Sequence, residues 1–520
     1  MTKRIKYPVG VQTFKKLREG EYLYVDKTAL VYDLANSFDY VFLSRPRRFG
    51  KSLLMSTLEC YFKGMKELFE GLAISSLEKE WTVYPVFRFD LSGNNFNDTQ
   101  SLVEHINYYL DNIETDYSLT SSGDISTRFK QLIRRAYERY GRKVVILIDE
   151  YDKPMLDNLH DMELHDKLRG ELRGFYSSIK SSDEYIRFAM LTGITKFGKV
   201  SIFSGLNMLD DISLLPSYNE ICGISETEFR RDFPESIRQF AGANGIPEED
   251  VWQEFKSMYD GYHFAKRGEY VYNPYSVLKA LKFNEIKGYW YETGSSDYLV
   301  RLFERHSYRL DGLSGARRTE SQLGNITNYE VDIVPFLYQA GYLTLKSYDS
   351  DTEEYTLDFP NREVNKAFWE SLADHYFRGS NGGLAFDQRK FVRDLAEGRP
   401  NDFMIRMQSL FADTSSEPER KKEIHFQNMM AIASKMLGLT VGTEVHFSAG
   451  RCDMLIQTGR YIYIFEFKID GSAEKALKQI HDRGYHLSYG ADGRRVYLIG
   501  ANFSTTTRTL TPDWIIEVLE

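Results

Sequence analysis

The feature that most constrains this chain is a phosphate-loop pattern that comes directly after a short apolar run. Residues 40–43 predict a buried strand, and a helix is predicted to begin at Lys51. The turn between them ends in Gly50-Lys51-Ser52, as in the pattern Gly-x4-Gly-Lys-Ser/Thr, but Arg45 stands where the first glycine is expected. A strand, a tight loop and a helix N-terminus direct backbone N–H groups at one point, which is how many proteins bind phosphate.

Every position of this loop is a candidate for contact with ATP. Gly50 lets the backbone curl, Lys51 is expected to neutralise the β- and γ-phosphates, and the Ser52 hydroxyl is expected to ligate Mg²⁺. The motif alone is also compatible with an alternative, a basic helix N-terminus that binds no ligand. The candidate nucleotide-binding residues of the loop are Arg45, Pro46, Arg47, Arg48, Phe49, Gly50, Lys51 and Ser52.

A second apolar run, residues 144–148, is followed by two carboxylates, Asp149 and Glu150. In a nucleotide site, Asp149 would hold the Mg²⁺ shell and Glu150 would polarise the attacking water. An acidic pair after a strand is also common as a solvated turn, but its combination with the phosphate loop favours one shared site. A further strand ends at Thr192, which either senses the γ-phosphate or only caps a turn.

Strand and helix patterns alternate up to about residue 215. The strand candidates are 40–43, 83–91, 144–148 and 185–191, and the helical stretches are 51–63, 100–114, 125–140 and 163–181. Such alternation predicts an α/β fold with a parallel sheet and helices on both faces, the P-loop NTPase class.

Four stretches carry a resemblance to a known family: Gly10-Val11-Gln12-Thr13-Phe14, Tyr24-Val25-Asp26-Lys27-Thr28, Ser44 to Ser52, and Phe203-Ser204-Gly205-Leu206-Asn207. Residues 5 to about 300 resemble the AAA-ATPase-like family common in anaerobic gut bacteria. The phosphate loop of that family is similar in having arginine where glycine is expected. The resemblance implies a bacterial ATPase of the additional-strand class, with Lys51, Ser52, Asp149 and Glu150 in the roles given above.

The middle of the chain is rich in aromatic residues. Helix-spaced aromatics are usually core, although interleaved basic residues also fit a platform for single-stranded nucleic acid, so both interpretations stay open. By resemblance, this region is the helical, winged-helix-like lid of the family. The aromatic residues of this segment, with one histidine, are Trp252, Phe255, Tyr259, Tyr262, His263, Phe264, Tyr270, Tyr272 and Tyr275.

A polar, proline-containing stretch at 415–422 predicts a boundary, and a strand hairpin follows it. With a two-residue turn at Thr458-Gly459, Asp453 would face Ile464. Because side chains alternate along strands, Asp453, Glu466 and Lys468 then share one sheet face. A four-residue loop would leave the same three side chains on one face. The other face is the predicted core side; its residues are Met454, Ile456, Tyr461, Tyr463, Phe465 and Phe467.

Two carboxylates and a lysine on one face predict a metal-dependent phosphodiesterase site. Asp453 and Glu466 would bind Mg²⁺ or Mn²⁺, which prefer oxygen ligands. The metal would polarise the phosphate and activate water, while Lys468 orients the nucleophile or offsets developing charge. A Glu-x-Lys pair taken alone is usually an exposed ion pair.

Residues 420–510 resemble the PD-(D/E)XK nuclease superfamily through Gly450-Arg451-x-Asp453, Glu466-Phe467-Lys468 and Gln479-x5-Tyr485. The resemblance implies that Asp453, Glu466 and Lys468 are catalytic and that Gln479 and Tyr485 orient the substrate. It also implies an acid on a preceding helix, for which Glu423 and, as second choice, Glu444 are candidates.

Composition narrows the class of protein further. The net charge of −9 argues against a surface that is basic throughout. Residues 415–520 carry equal numbers of acids and bases, which predicts weak DNA affinity for that part alone. The three cysteines are scattered, and no apolar run approaches the roughly 20 residues of a membrane helix. We therefore expect a cytoplasmic protein without a membrane partner.

The sequence thus predicts four parts: an ATPase core at 1–215, a lid at 216–345, a helical connector at 346–415 and a nuclease-like α/β domain at 416–520. The leading functional prediction is an ATPase fused to a metal-dependent nuclease that acts on DNA or RNA. The alternative is a nucleotide-operated switch or scaffold with a non-cleaving nuclease fold, in a mobile-element or phage-defence setting. Assembly into a homo-oligomer is compatible with either function.

Overall fold

The computed structural model divides by internal contacts into two compact units. Unit 1 comprises Met1–Glu292 and Gly315–Val364, and unit 2 comprises Thr293–Ser314 and Asn365–Glu520. The residues that the structure describes are 5–158, 161–196, 208–290, 302–303, 308, 310, 312–324, 332–376, 388–412, 428, 431–432, 435, 440–447, 450–490, 493–507 and 509–519.

Unit 1 is built on a parallel sheet. Its strands are β1 (Tyr40–Ser44), β2 (Val86–Asp90), β3 (Val144–Asp149), β4 (Ile186–Gly193) and β5 (Asp210–Asp211), in the order β2-β3-β4-β1-β5. Every residue of β3 is buried, so helices cover both faces, as expected when parallel strands are joined by helical connections. The helices are α1 (Phe14–Glu19), α2 (Thr28–Ser37), α3 (Lys51–Phe62), α4 (Ile74–Leu77), α5 (Thr99–Asp116), α6 (Ile125–Tyr140), α7 (Lys153–Leu156) and α8 (Met162–Lys180).

The strand order decides what meets at the carboxyl edge of this sheet. β4 lies between β1 and β3, so the strand that precedes the phosphate loop and the strand that precedes the acidic pair flank it on either side. The register pairs Leu43 with Thr192 and Ile148 with Leu191, which brings the three strand ends level with one another. The predicted parallel sheet with one additional strand is therefore confirmed.

The middle region contains helices α9 (Glu226–Asp232), α10 (Pro234–Asn244), α11 (Glu248–Tyr259) and α12 (Pro274–Phe283), with the short strand pair β6 (Ile224–Ser225) and β7 (Val271–Tyr272). Their aromatic residues, among them Phe229, Phe255 and Tyr272, form a common buried core. Tyr262 and Phe264 are buried as well. The interpretation of these aromatics as core is thus confirmed; Tyr270, by contrast, is exposed.

A small antiparallel sheet completes unit 1. Its strands β8 (Ala316–Thr319), β9 (Thr344–Asp349) and β10 (Glu354–Asp358) pair in the order β8-β10-β9. Helices α13 (Glu320–Leu323) and α14 (Val334–Ala340) lie between β8 and β9 along the chain.

Unit 2 contains a mixed sheet and its flanking helices. The strands are β11 (Thr440–Phe447), β12 (Gly450–Gln457), β13 (Tyr461–Ile469), β14 (Arg495–Ser504), β15 (Thr509–Leu510) and β16 (Ile515–Leu519), in the order β11-β12-β13-β14-β15 with β16 also on β14. β13 and β14 are parallel, and helix α18 connects them. The helices are α15 (Arg362–Tyr376), within which the unit boundary falls, α16 (Gln388–Ala396), α17 (Pro400–Ala412) and α18 (Ala473–Arg483).

The predicted turn of the β12–β13 hairpin is wrong by one residue. The Thr458 backbone N–H donates to the Tyr461 carbonyl at 2.8 Å, so the turn is centred on Gly459-Arg460. The Thr458 hydroxyl, which accepts from the Tyr461 N–H at 3.0 Å, closes the turn around the later pair. Each residue therefore pairs two positions away from its predicted partner, and Ile464 pairs with Leu455 instead of Asp453. A shift by two residues keeps Asp453, Glu466 and Lys468 on one face of the sheet.

Both faces of β13 are core, where only one was predicted. On the predicted core side, the Phe465 ring packs against Phe403 of α17, and the Tyr463 hydroxyl donates to the Leu395 carbonyl of α16 at 2.6 Å. On the other side, Ile464 belongs to a buried cluster with Ile480 of α18. The helices α16 and α17, predicted to be a connector, thus pack on the C-terminal sheet.

Three further findings bear on the sequence expectations. All three cysteines, Cys60, Cys222 and Cys452, are buried and form no disulfide bond. In the described part of the chain, no helix is long and apolar enough to cross a membrane. The family-like stretch 203–207 lies outside the described residues.

Candidate active sites

The phosphate loop ends where helix α3 begins. Gly50 has φ 94°, a left-handed conformation that glycine adopts without strain, and Lys51 is the first helical residue. The Lys51 ammonium is buried and donates to the backbone carbonyls of Arg45 at 2.9 Å and Pro46 at 3.2 Å, while Ser52 is half-buried in the first helical turn. The lysine is thus inside the curve of its own loop, where it is bonded to groups that a phosphate can replace.

The Arg45 side chain is directed into the protein interior. The residue is 1% exposed, and its guanidinium donates to the carbonyls of Ser213 at 2.8 Å and Tyr218 at 2.9 Å. It also stacks on the Phe264 ring at 4.3 Å. Arg45 therefore anchors the loop to the segment after β5, and any contact of this residue with a nucleotide would be made by its backbone.

The remaining predicted loop residues differ in their surroundings. Phe49 is buried with its ring 4.7 Å from that of Tyr262, and Pro46 is buried as well. Arg47 is half-buried, and Arg48 is exposed with its guanidinium 4.9 Å from the Tyr275 ring. The loop is thus fixed by apolar contacts at Pro46 and Phe49, and it exposes Arg48 to solvent.

Asp149 and Thr192 meet at the ends of the neighbouring strands β3 and β4. The Thr192 hydroxyl donates to Asp149 Oδ1 at 2.7 Å. The other oxygen, Oδ2, is buried and has no hydrogen-bond partner among the described residues. An orphaned buried carboxylate oxygen is costly unless something binds it, so this arrangement fits a cation at Asp149.

Glu150 follows in a left-handed conformation with φ 52°, which is uncommon for a residue with a side chain. Burial raises the pKa of its carboxyl, and the nearby Lys51 ammonium opposes that shift. The backbone therefore turns sharply after β3 and places a carboxyl group of increased basicity next to the phosphate loop.

Asp152 is a further candidate residue of the nucleotide site, and it was not predicted from the sequence. One of its oxygens, Oδ2, accepts from the backbone N–H groups of Ile194 at 3.0 Å and Thr195 at 2.6 Å and from the Thr195 hydroxyl at 2.6 Å. Burial raises the pKa of Asp152. The residue thus fixes the turn after β4, and the signal available in the sequence was a third carboxylate just after the acidic pair.

A half-open apolar cleft with a cavity volume of about 100 Å³ adjoins the loop at Gly50 and was not predicted. The cleft combines N-terminal residues with residues near 221–224 and α12, and such a set, spread over residues 8–278, has no local sequence signature. Its lining includes Tyr24, Val25, Lys27, Phe49, Cys222 and Leu278.

In unit 2, the predicted catalytic residues come together on one face of the sheet. The Lys468 ammonium donates to Glu466 at 3.1 Å and to the side-chain oxygen of Gln479 at 2.6 Å. Asp453 accepts from the Phe467 backbone N–H at 2.7 Å, which places it across from Glu466 in the hairpin. Tyr485 is buried, and its hydroxyl is hydrogen-bonded to Gln479.

Glu466 is the most perturbed acid of this cluster. Burial, followed by the charge of Asp453, raises its pKa to about 7, and the Lys468 ammonium opposes the shift. Its second oxygen is buried and has no hydrogen-bond partner in the part of the chain that the structure describes. The donor set of two carboxylates fits a hard divalent cation, although among the described residues no group of three or more His, Cys, Asp or Glu could hold a metal.

Gly500 explains how α18 reaches the site. It pairs with Glu466 in the sheet, and a Cβ atom there would lie 2.4 Å from the Ala473 carbonyl oxygen and 2.6 Å from the Leu477 nitrogen. Only glycine permits this approach of helix to strand, and the approach carries Gln479 to Lys468. Of the two candidate helix acids, Glu423 lies outside the described residues; for Glu444 the helical prediction is wrong, because it lies in β11.

Comparison with known proteins identifies the family of the chain. A family model described as "Predicted AAA-ATPase" matches residues 8–203, and a PD-(D/E)XK nuclease superfamily model matches 421–512. A relative from Azotobacter chroococcum mcd 1, "Uncharacterized protein in vnfD 5'region", is 35% identical over 528 residues and spans 99% of both chains. The chain belongs to the AAA-ATPase-like family and carries a PD-(D/E)XK nuclease superfamily domain.

The AAA-ATPase-like match contains both the phosphate loop and the acidic pair, and the PD-(D/E)XK match contains Asp453, Glu466, Lys468, Gln479 and Tyr485. Among solved structures, the chain is similar to the Aeropyrum pernix ORC2 protein in ADPNP-ADP complexes. That likeness has 11% identity and a TM-score of 0.23, and it covers 69% of this chain and 95% of that one.

Proposed function

We propose that this protein binds and hydrolyses ATP in unit 1 and that its PD-(D/E)XK domain is a metal-dependent nuclease acting on DNA. The ATPase proposal rests on the convergence of the phosphate loop, Thr192 and the acidic pair at the carboxyl ends of three adjacent strands. The nuclease proposal rests on the cluster of Asp453, Glu466 and Lys468.

In unit 1, the triphosphate would replace the two loop carbonyls that now accept from Lys51. Ser52 and Asp149 would hold Mg²⁺, which offsets phosphate charge when bound. Glu150, with its raised pKa, would accept a hydrogen bond from the attacking water and orient it. The apolar cleft next to Gly50 would take the base, because its walls offer a flat ring hydrophobic contact.

In the nuclease-like site, Asp453 and Glu466 would hold Mg²⁺ or Mn²⁺. The cation, when bound, polarises the scissile phosphate and lowers the pKa of a bound water. Lys468 would offset charge that develops on the phosphate, and Gln479, supported by Tyr485, would keep the lysine directed at the site. We retain the four predicted parts, 1–215, 216–345, 346–415 and 416–520, as the proposed functional division, in a cytoplasmic protein that is open to homo-oligomer formation.

The test is cleavage of linear, circular and single-stranded DNA with Mg²⁺ or Mn²⁺, with and without ATP. Wild type is compared with Lys468→Ala and Lys51→Ala, and Lys478→Ala, an exposed lysine on α18, is the matched control. We expect Lys468→Ala to abolish cleavage, Lys51→Ala to change its ATP dependence, and Lys478→Ala to leave it unchanged. Equal cleavage by wild type and Lys468→Ala would contradict the nuclease assignment.

The alternative function is a nucleotide-operated switch or scaffold with a non-cleaving nuclease fold. It would apply if Asp453 and Glu466 hold no catalytic cation. On this alternative, ATP is hydrolysed and no DNA or RNA is cut with either cation. ATP-dependent oligomerisation without nucleic-acid binding would then identify the scaffold, and ATP-dependent nucleic-acid binding would identify the switch.

A further inference from the structure

The phosphate loop is packed against residues far along the chain. The Trp290 indole N–H donates to the Arg47 carbonyl at 3.4 Å, and the Trp290 side chain is buried. Pro46 is in contact with Gly341 so closely that a Cβ atom on this glycine would lie 2.6 Å from Pro46 Cβ and 3.5 Å from the Trp290 ring. A change in loop conformation at Pro46 or Arg47 therefore has to be accommodated by Trp290.

Glu363 fixes the backbone that carries this tryptophan. One of its oxygens, Oε1, accepts from the backbone N–H groups of Tyr289 at 2.5 Å and Trp290 at 2.9 Å and from the Ser276 hydroxyl at 3.0 Å. The residue is buried, so these bonds to a carboxylate are stronger than neutral ones and are not replaced by water. Trp290 and Glu363 thus form one rigid connection.

The same two residues lie where the chain passes between its units. The chain leaves unit 1 after Glu292, shortly beyond Trp290, and again after Val364, directly beyond Glu363. Two of the chain crossings are therefore joined by the hydrogen bonds of a single carboxylate. The connection from loop to crossing runs from the Arg47 carbonyl through the Trp290 indole and backbone to Glu363 in the first turn of α15.

We propose that Trp290 and Glu363, named here the clasp, transmit the nucleotide state of the phosphate loop to α15, the helix by which the chain enters unit 2. This inference rests on the proposed ATP binding. When phosphate replaces the carbonyls of Arg45 and Pro46 as partner of Lys51, the loop segment that includes Arg47 must adjust. The clasp residues are positioning residues, and the clasp gives the adjustment a route of direct contacts.

The test is hydrogen exchange of residues 362–376 with and without a slowly hydrolysed ATP analogue, together with the affinity for that analogue. Trp290→Phe keeps the ring and removes the indole N–H, and Glu363→Gln removes the charge. The controls are Trp252→Phe, whose ring lies in the middle-region core, and Glu370→Gln, an exposed position on the same helix.

We expect the analogue to change exchange in this helix in wild type and in both controls. In Trp290→Phe the analogue still binds, but its effect on exchange falls by about fivefold. An unaltered effect in Trp290→Phe, or no effect in wild type despite binding, would overturn the clasp and leave the ATPase proposal standing. Failure of wild type to bind the analogue would overturn both. If Glu363→Gln does not fold, Trp290→Phe alone decides the outcome.

Discussion

The Thr192 hydroxyl donates a 2.7 Å hydrogen bond to Asp149 Oδ1, and both residues are fully buried. The bond joins the tip of β4 to the tip of the neighbouring strand β3. It holds one carboxylate oxygen in place while the other is left for a cation, so the hydroxyl fixes the orientation of the group that we propose to bind Mg²⁺. This role differs from both roles predicted for Thr192, which were to sense the γ-phosphate or to cap a turn.

Thr192→Val should slow ATP hydrolysis without much effect on ATP binding. The variant keeps the shape of the side chain but removes one hydrogen bond, and a loss of about 1.4 kcal/mol in the transition state corresponds to about tenfold in kcat. The measurement is steady-state ATPase activity together with the Kd of a labelled ATP analogue. The control is Thr344→Val, which also loses a buried hydroxyl, bonded there to the His263 backbone, and should keep its kcat. A parallel loss of affinity and kcat in Thr192→Val would argue against this role.

Arg45→Gly restores the usual glycine of the phosphate loop and should nevertheless damage the protein. The substitution removes a buried side chain and leaves the carbonyls of Ser213 and Tyr218 without their donor. We expect the free energy of unfolding of unit 1 to fall by about 3 kcal/mol or more. Urea denaturation followed by tryptophan fluorescence measures this loss.

The matched control for Arg45→Gly is Arg48→Gly in the same loop. Arg48 is exposed and has φ 70°, so glycine relieves backbone strain there and should leave stability nearly unchanged. Equal stability of the two variants would show that the Arg45 anchor is dispensable.

Local patterns were enough to predict most of the parallel sheet. Continuous apolar runs such as 144–148 are typical of strands buried on both sides, and the predicted helix 125–140 coincides with α6. The acidic pair was predicted as part of the site because it directly follows a strand and occurs together with the phosphate loop. The shared face in the hairpin was predicted because alternation tolerates a turn shifted by one residue.

The features that were not predicted depend on contacts between segments that are far apart in the sequence. Nothing near Arg45 in the sequence indicates that its guanidinium meets carbonyls some 170 residues away. The second buried face of β13, on which Ile464 lies, depends on contact with Ile480 of α18, a helix that begins only after the strand has ended. Asp152 was missed because its partners are backbone N–H groups, which any sequence can supply.

Gly500→Ala should disrupt the nuclease-like site by displacing α18, the helix that packs against this strand residue. The added methyl group would meet backbone atoms of α18 at Ala473 and Leu477, and these atoms cannot move without the helix. We expect α18 to shift, so that Lys468 loses Gln479 and unit 2 loses about 1–3 kcal/mol of stability. Thermal unfolding and DNA cleavage report the two effects. The control is Gly459→Ala in the hairpin turn, where a Cβ atom meets nothing within 4 Å; equal effects of both variants would contradict the helix-approach argument.

The raised pKa of Glu466, about 7, makes the stability of unit 2 depend on pH when divalent cations are chelated. A carboxyl group in the unfolded chain has a pKa of about 4.3, so the folded state favours the protonated form. The resulting stabilisation is complete below about pH 4 and is lost progressively as the pH rises through 7.

Glu466→Gln should therefore stabilise unit 2 at pH 8 relative to wild type, and much less at pH 4.5. The expected gain at pH 8 is about 3 kcal/mol, since each pKa unit is worth about 1.4 kcal/mol. Denaturant unfolding in a chelating buffer across this pH range measures it. Glu474→Gln, at an exposed acid near the start of α18, should show no such gain. A pH-independent effect of Glu466→Gln would mean that the Glu466 carboxyl is charged throughout, and would remove the basis for this dependence.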